Sequence, residues 1–181
     1  MNRQILKEYA KLRKLPKWIY LGSVSDYVCD NFRSISLNLE NTNERNIENR
    51  KKLGLHYDEY KSPLGTVYQT KHKDDLNVST ISCIKDFKQT FNWRFGELNP
   101  NGEVPEHLDT HKTLRFLIIL TGYCDYVAEN DKIRMNKGDV YCLNTGFKHK
   151  VLNGPYTRLA LLGEMNNNEK NIELLRARTR K

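Results

Sequence analysis

His107-Leu108-Asp109, with His149 and Arg158 farther along the chain, are the residues whose types and spacing could do chemistry. Two imidazoles and one carboxylate on one side of an ion make the facial donor set that suits non-haem iron(II), leaving the opposite positions open for a cosubstrate and oxygen. A guanidinium nearby adds a second capacity, because its planar fork matches a carboxylate in two parallel hydrogen bonds. Arg158 stands nine residues after His149. The HxD triplet alone is weak evidence: five histidines and 22 acids among 181 residues make a His-x-acid pairing common by chance. The competing reading of a strand histidine is a packed or hydrogen-bonded side chain.

The elements that must position these residues come from hydrophobic alternation. From Val78 to residue 163, short β-rich runs are separated by turn residues, the pattern of an all-β barrel or sandwich. The runs are 78–84, 92–98, 104–108, 113–121, 123–128, 131–135, 139–143, 148–152 and 157–163. Asn99-Pro100-Asn101-Gly102, Glu129-Asn130-Asp131, Asn136-Lys137-Gly138 and Asn153-Gly154-Pro155 supply turns between them. Alternation gives each side chain a direction. Arg115 shares a face with Leu117 and Ile119, His149 with Val151, and Arg158 with Ala160 and Leu162, so all three polar residues are expected inside one barrel. His107 and Asp109 point the same way, and a distant strand carrying His149 is expected to bring the third ligand across the barrel. The turn at Asn153-Gly154-Pro155 predicts that run 157–163 pairs back beside 148–152. A buried arginine needs an anionic partner. The runs around Arg158 offer almost no interior acid, so a bound dicarboxylate is its expected partner.

The flanks are less informative. Residues 1–90 read as an N-terminal helical and irregular region packing on the barrel, a candidate substrate-selecting element. Ile5, Tyr9, Leu12 and Leu15 follow a helical period that Pro16 stops, 40–52 are almost wholly polar, and 53–77 offer one short strand around Val67 and Tyr68. Trp18, Trp93, Tyr57, Tyr60 and Tyr68 are available for the barrel mouth, although ordinary core packing explains most such residues. Residues 166–181 read as a basic C-terminal helix or tail, capped by one of three asparagines and carrying Ile172, Leu174 and Leu175. The net charge of +8 lies in these flanks: Lys and Arg outnumber acids 16 to 11 over 1–90 and 5 to 2 over 166–181, and balance 9 to 9 between. Such flanks can dock an acidic partner, nucleic acid or an acidic peptide, or merely be solvated; no nucleic-acid-binding motif accompanies them. Cys29, Cys83, Cys124 and Cys142 are widely spaced without a CxxC pair and read as free thiols, which suits a reducing compartment. No signal peptide or membrane-length apolar run is present, so a soluble, cytoplasmic protein with no membrane partner is expected.

The segments HLDTHKTLRFLIILTG and GDVYCLNTGFKHKVLNGPYTRLALL resemble the core of the iron(II)- and 2-oxoglutarate-dependent dioxygenases, which carry HxD, a later His and an Arg shortly beyond it. The chain is most similar to the aspartyl/asparaginyl β-hydroxylase branch. There a Pro-rich turn precedes the first His, as in ELNPNGEVPEH, an Arg lies on the next strand, as Arg115 does, and a Gly and an aromatic precede the second His, as do Gly138 and Phe147. The likeness covers about 92–163. It implies a mainly β fold, a double-stranded β-helix (a jelly-roll or cupin-like barrel) with flanking helices, its catalytic core at 91–165. It implies further that His107, Asp109 and His149 hold Fe(II), that Arg158 grips the distal carboxylate of 2-oxoglutarate, and that Arg115 assists with the cosubstrate or with an acidic group of the substrate. The implied reaction consumes O2 and hydroxylates a C–H bond of a protein side chain, an amino acid or a modified nucleotide, releasing succinate and CO2. One departure matters: animal aspartyl β-hydroxylases have a small residue where this chain has Asp109, which weakens a specific expectation of aspartyl hydroxylation.

Two other readings use the same barrel. Gly138, Asn144, Gly146, His149 and Asn153 match the spacing of the second cupin motif, and Asp109 with His111 could replace the ligands of the first. The ligand set would then be Asp109, His111 and His149, with no part for Arg158. The third reading is a non-catalytic β-barrel whose basic flanks contact nucleic acid.

Overall fold

Apolar residues on both faces of one strand require a layer on each side of it. Strand Leu114–Thr121 meets that condition: Leu114, Phe116, Ile118 and Leu120 join one buried cluster, while Leu117 and Ile119 join another. The structure, a computed structural model describing residues 12–39, 69–73, 76–109 and 114–179, sets this strand inside an antiparallel sandwich. In chain order the strands are β1 (Trp18–Ser23), β2 (Gln69–His72), β3 (Thr90–Leu98), β4 (Glu103–His107), β5 (Leu114–Thr121), β6 (Tyr123–Ala128), β7 (Asp131–Asn136), β8 (Asp139–Asn144), β9 (His149–Asn153) and β10 (Arg158–Met165). The helices are α1 (Asp26–Leu37) and α2 (Glu169–Arg178).

The larger sheet runs β1-β8-β5-β10-β3-β2 and the smaller β4-β9-β6-β7. From β3 onward the chain passes repeatedly between the sheets and encloses one interior, lined by Leu98, Val104, Leu117, Ile119, Cys124, Tyr126, Val151, Ala160 and others. The opposite face of the larger sheet is covered by the helices. Ser25 caps α1 by accepting from the Val28 amide, and Cys29 and Phe32 pack inward. Asn168 accepts from the Asn171 amide at 2.9 Å to start α2, whose Ile172 and Leu175 are buried. A third cover is the segment after Leu12, held by buried Asn144, whose Nδ2 donates to the Leu12 carbonyl at 2.7 Å.

Every run expected from residue 92 onward is a strand, with ends shifted by a residue or two. Three expectations are corrected. Residues 78–84 form turns and a short 3₁₀ segment (Ser82–Ile84) instead of a strand. Ile81, Ile84 and Phe87 are buried, and the amide of each donates to the carbonyl three residues earlier, so the apolar period there is three and not two. The run after Asn153-Gly154-Pro155 does not fold back on β9: β10 crosses to the other sheet and pairs with β3 and β5. Asn153 secures that crossing, its Nδ2 donating to the carbonyls of Leu98, Asn99 and Tyr156. Third, the stretch after Pro16, expected to be helical or irregular, includes helix α1 but also supplies the strand β1. Residues 40–68, with the whole polar stretch and with Tyr57, Tyr60, Val67 and Tyr68, lie outside the described residues, as do 1–11 with Ile5 and Tyr9. All four cysteines are free, and no described helix is long and apolar enough to cross a membrane.

Trp93 stacks on Phe116, with ring centroids 5.7 Å apart and planes 5° from parallel, directly over Gly163 of β10. A Cβ at Gly163 would lie 2.5 Å from the indole carbons. Gly163→Ala is therefore expected to displace the indole and cost about 1–3 kcal/mol, read as a lower denaturation midpoint with altered tryptophan fluorescence. An unchanged midpoint would mean that the ring yields freely.

Candidate metal centre

β4 and β9 are hydrogen-bonded neighbours, and their register sets His107 opposite His149. The third ligand thus comes from the adjacent strand, not from across the barrel as expected. β4 is the edge of its sheet, which tolerates Pro105, a residue with no N–H to donate. The β4–β9 ladder is irregular between Val104 and His107, and such a bulge re-aims the following side chains. The imidazoles come within 4.4 Å, centroid to centroid.

Main-chain carbonyls fix both rings. Nδ1 of His107 lies 2.7 Å from the Pro105 carbonyl oxygen, and Nδ1 of His149 lies 2.9 Å from that of Phe147. A carbonyl only accepts, so each Nδ1 carries a proton and donates, and Nε2 is the nitrogen that faces Asp109 and could ligate an ion once it bears no proton. Both Nε2 atoms face Asp109. His107 Nε2 is 3.6 Å from Oδ1, and His149 Nε2 is 4.0 Å from Oδ2. The ligand atoms of His107, Asp109 and His149 lie within 4.8 Å of one another, a cluster that could hold a metal ion. His111, the alternative ligand, lies outside the described residues.

The charges agree with that use. Burial alone would raise the Asp109 carboxyl, but the His107 hydrogen bond and the Arg115, His149 and His107 charges outweigh it and hold it below the usual carboxylate range. For His107, burial pulls the imidazole down, yet its contacts with Asp109 and Pro105 together leave it above the ordinary value of 6.5. Burial dominates at His149 and lowers it.

The two arginines have different surroundings. Arg115 projects from β5 toward Asp109, with Nη2 3.2 Å from Oδ2 and 3.9 Å from Glu164 Oε1. Two interior acids, Asp109 and Glu164, therefore meet Arg115. Glu164 escaped notice because it falls one residue beyond the run 157–163. Arg158 is only 2% exposed, and no carboxylate among the described residues pairs with it. Its Nη1 lies 3.4 Å from Cys124 Sγ, and its Nε has no partner. Tyr126, also unnoticed in the sequence, is fully buried two residues beyond Cys124, its hydroxyl unpartnered and its ring 5.4 Å from that of His149. Its only sequence signal was an alternation that aims it inward with Cys124 and Ala128. Cys124, Tyr126 and Ala128 thus line one face of β6 from Arg158 to His149. Trp18 closes this wall, edge-on to Tyr126 at 6.0 Å, whereas Trp93 lies on the far side of the larger sheet.

No family model matches the chain, and no curated protein matches it. Among solved structures, a Pseudomonas putida prolyl-4-hydroxylase is similar with a TM-score of 0.53 and 12% identity, over 89% of this chain and 99% of that one. A predicted oxalate decarboxylase from Thermotoga maritima is similar with a TM-score of 0.42 and 17% identity, over 56% of this chain and 84% of that one. A cupin 2 conserved barrel domain protein from Salinispora arenicola gives a TM-score of 0.39 and 16% identity, over 72% and 92%. The fold is a double-stranded β-helix, mainly β, with two sandwiched antiparallel sheets and, among the described residues, two helices.

As pH falls, His107 takes up its proton before His149, because the first imidazole is raised and the second lowered, so an ion held here would compete with a proton at His107 first. Asp109 stays ionised across that interval. Affinity for a divalent ion is accordingly expected to fall about tenfold per pH unit below the His107 titration, with one proton released per ion bound. Calorimetric titration with Co(II) between about pH 5.5 and 8 measures this. A flat profile would exclude His107 as a ligand.

Proposed function

We propose that this chain is an iron(II)- and 2-oxoglutarate-dependent oxygenase that hydroxylates a C–H bond of a protein side chain, an amino acid or a similar substrate. The observation that carries the reading is a pair of unsatisfied buried donors, Arg158 Nε and Tyr126 OH, in the interior that also receives His107, Asp109 and His149. A buried guanidinium without an anion is costly. A carboxylate seated between Arg158 and Tyr126 would satisfy both groups, and burial and the Asp109 charge push the Tyr126 hydroxyl upward, keeping it protonated and able to donate. Cys124 and Tyr126 are one side-chain alternation apart, roughly 7 Å along β6, a reach on the scale of a short dicarboxylate.

The donor set fits iron(II): two neutral imidazole nitrogens and one carboxylate, grouped on one side. Iron(II) held there would supply the oxygen activation that couples decarboxylation of 2-oxoglutarate to hydroxylation, with succinate and CO2 as coproducts. The protein residues do the rest. Pro105 and Phe147 carbonyls orient the imidazoles, Arg158 and Tyr126 bind the distal carboxylate, and Leu117, Ile119, Val151 and Ala160 keep the interior dry. The spacing around Gly138, Asn144, Gly146 and His149 favours a second reading, a cupin-type metalloenzyme without a keto acid, in which His111 replaces His107.

Anaerobic titration with iron(II) and 2-oxoglutarate separates the two readings. The wild-type chain is expected to develop a visible metal-to-ligand charge-transfer band. Arg158→Met removes a charge-assisted pair worth about 2 kcal/mol or more, so it should demand at least about tenfold more keto acid for the same band. No band in folded wild-type protein, or metal binding lost in His111→Ala and indifferent to Arg158→Met, overturns the oxygenase reading.

Turnover provides an independent check. Succinate formation should vanish in the Asp109→Ala, His149→Ala double variant, and its persistence would place the chemistry elsewhere.

A further inference from the structure

The interior carries one carboxylate for which metal binding and the keto acid leave no use. Glu164 is 7% exposed at the end of β10, and three donor side chains converge on its Oε1: Asn92 Nδ2 at 2.7 Å, Arg94 Nη1 at 3.0 Å and Arg115 Nη2 at 3.9 Å. This convergence is built by the backbone. Between Arg94, paired with Leu162, and Phe91, paired with Glu164, β3 has one residue more than β10. Asn92 takes up the excess at φ 52°, in the left-handed region that asparagine tolerates, and its carbonyl accepts from Arg94 Nη1 at 3.0 Å. The bulge thus turns both Asn92 and Arg94 onto the same carboxylate.

From Glu164 the contacts lead inward. Arg115 touches Glu164 on one side and Asp109 Oδ2, at 3.2 Å, on the other. Arg115 pairs by charge with Oδ2 without a hydrogen bond to it, while Oδ1 lies beside His107 Nε2. We infer that Glu164 is a positioning residue for the metal centre, holding the Arg115 charge on the Oδ2 side of Asp109 so that the carboxylate stays turned toward the imidazoles. The inference rests on the metal-binding reading of His107, Asp109 and His149, and is independent of the keto acid.

Charge gives the inference a direction. Arg94 and Arg115 are two cations close to a site meant for a third, and Glu164 is the anion between them. Glu164→Gln keeps size and the Asn92 contact but leaves both guanidiniums against a neutral amide, and the Arg115 charge then bears more fully on Asp109 and on any incoming cation. Orienting partners behind a ligand change metal affinity about 10- to 100-fold.

The test is Co(II) affinity of the full chain, with circular dichroism to verify folding. Glu164→Gln is expected to weaken Co(II) about tenfold or more. Glu97→Gln, which removes an equal charge from a pair with Lys71 3.6 Å away on the same sheet, should stay near wild type. In an Arg115→Met background the Glu164→Gln effect should shrink to about twofold or less, because residues acting through one another are not additive. Asn92→Ala loosens Glu164 without changing a charge and should weaken Co(II) in the same direction, which keeps the test open if Glu164→Gln does not fold. Wild-type affinity in the folded 164 and 92 variants, equal loss in Glu97→Gln, or a full effect without Arg115 would each overturn the positioning role. Absence of Co(II) binding by the wild-type chain would instead overturn the metal centre beneath it.

Discussion

The register of β4 against β9 is the constraint on which the rest of the site depends. It places His107 beside His149, and a slip of β4 by one residue would turn His107 toward solvent while His149 kept its place, because side chains alternate with period two. Apolar burial defends that register. Val104 and Val151 are register partners and both belong to the interior cluster, so slippage would expose Val104 together with His107. Main-chain carbonyls at Pro105 and Phe147 then complete what register begins, since each fixes a tautomer and a ring orientation two residues before its histidine.

A second theme is how an apolar enclosure accommodates charge. Two solutions operate side by side. Around Arg115 the protein supplies its own anions, and Asp109 and Glu164 leave the region nearly balanced. Around Arg158 no described carboxylate pairs with the guanidinium, and a soft thiol at 3.4 Å is its hydrogen-bonding partner. The first arrangement balances its charge within the folded chain, whereas the second leaves a buried cation that an anion would offset. That asymmetry is what the proposed carboxylate at Arg158 rests on.

Much of this was legible in the residues. Alternation in 113–121 set Arg115 on one face with Leu117 and Ile119, and Leu117 and Ile119 are found in the interior cluster. Turn chemistry marked the strand ends, because Asn101 and Glu129 adopt the positive φ that their turns require. What failed was long-range pairing. Neighbours in sequence across Asn153-Gly154-Pro155 pointed to a hairpin, but in this fold the short turn carries the chain to the opposite sheet, a decision made by Asn153 contacts to residues some 55 positions away. Glu164 was invisible as a partner for the same reason: only the β3 bulge brings Asn92 and Arg94 to it. Val78, Ile81 and Ile84 were a short apolar run whose period is ambiguous until its neighbours are known. Helix α1 had a readable signal in Ser25 and the spacing of Cys29, Phe32 and Ser36, and it was overlooked.

His107 closes β4 and Asp109 follows it, and β4 has a hydrogen-bonded neighbour on one side only. An outermost strand is the element that a sheet releases most cheaply in local opening. His107 and Asp109 would therefore leave together when β4 detaches, while His149 stays anchored to β6. A bound ion that bridges these strands acts as a clasp on the sheet edge, and its binding energy is also closing energy for β4. Slow amide exchange along this one strand would be the dynamic signature of an occupied centre.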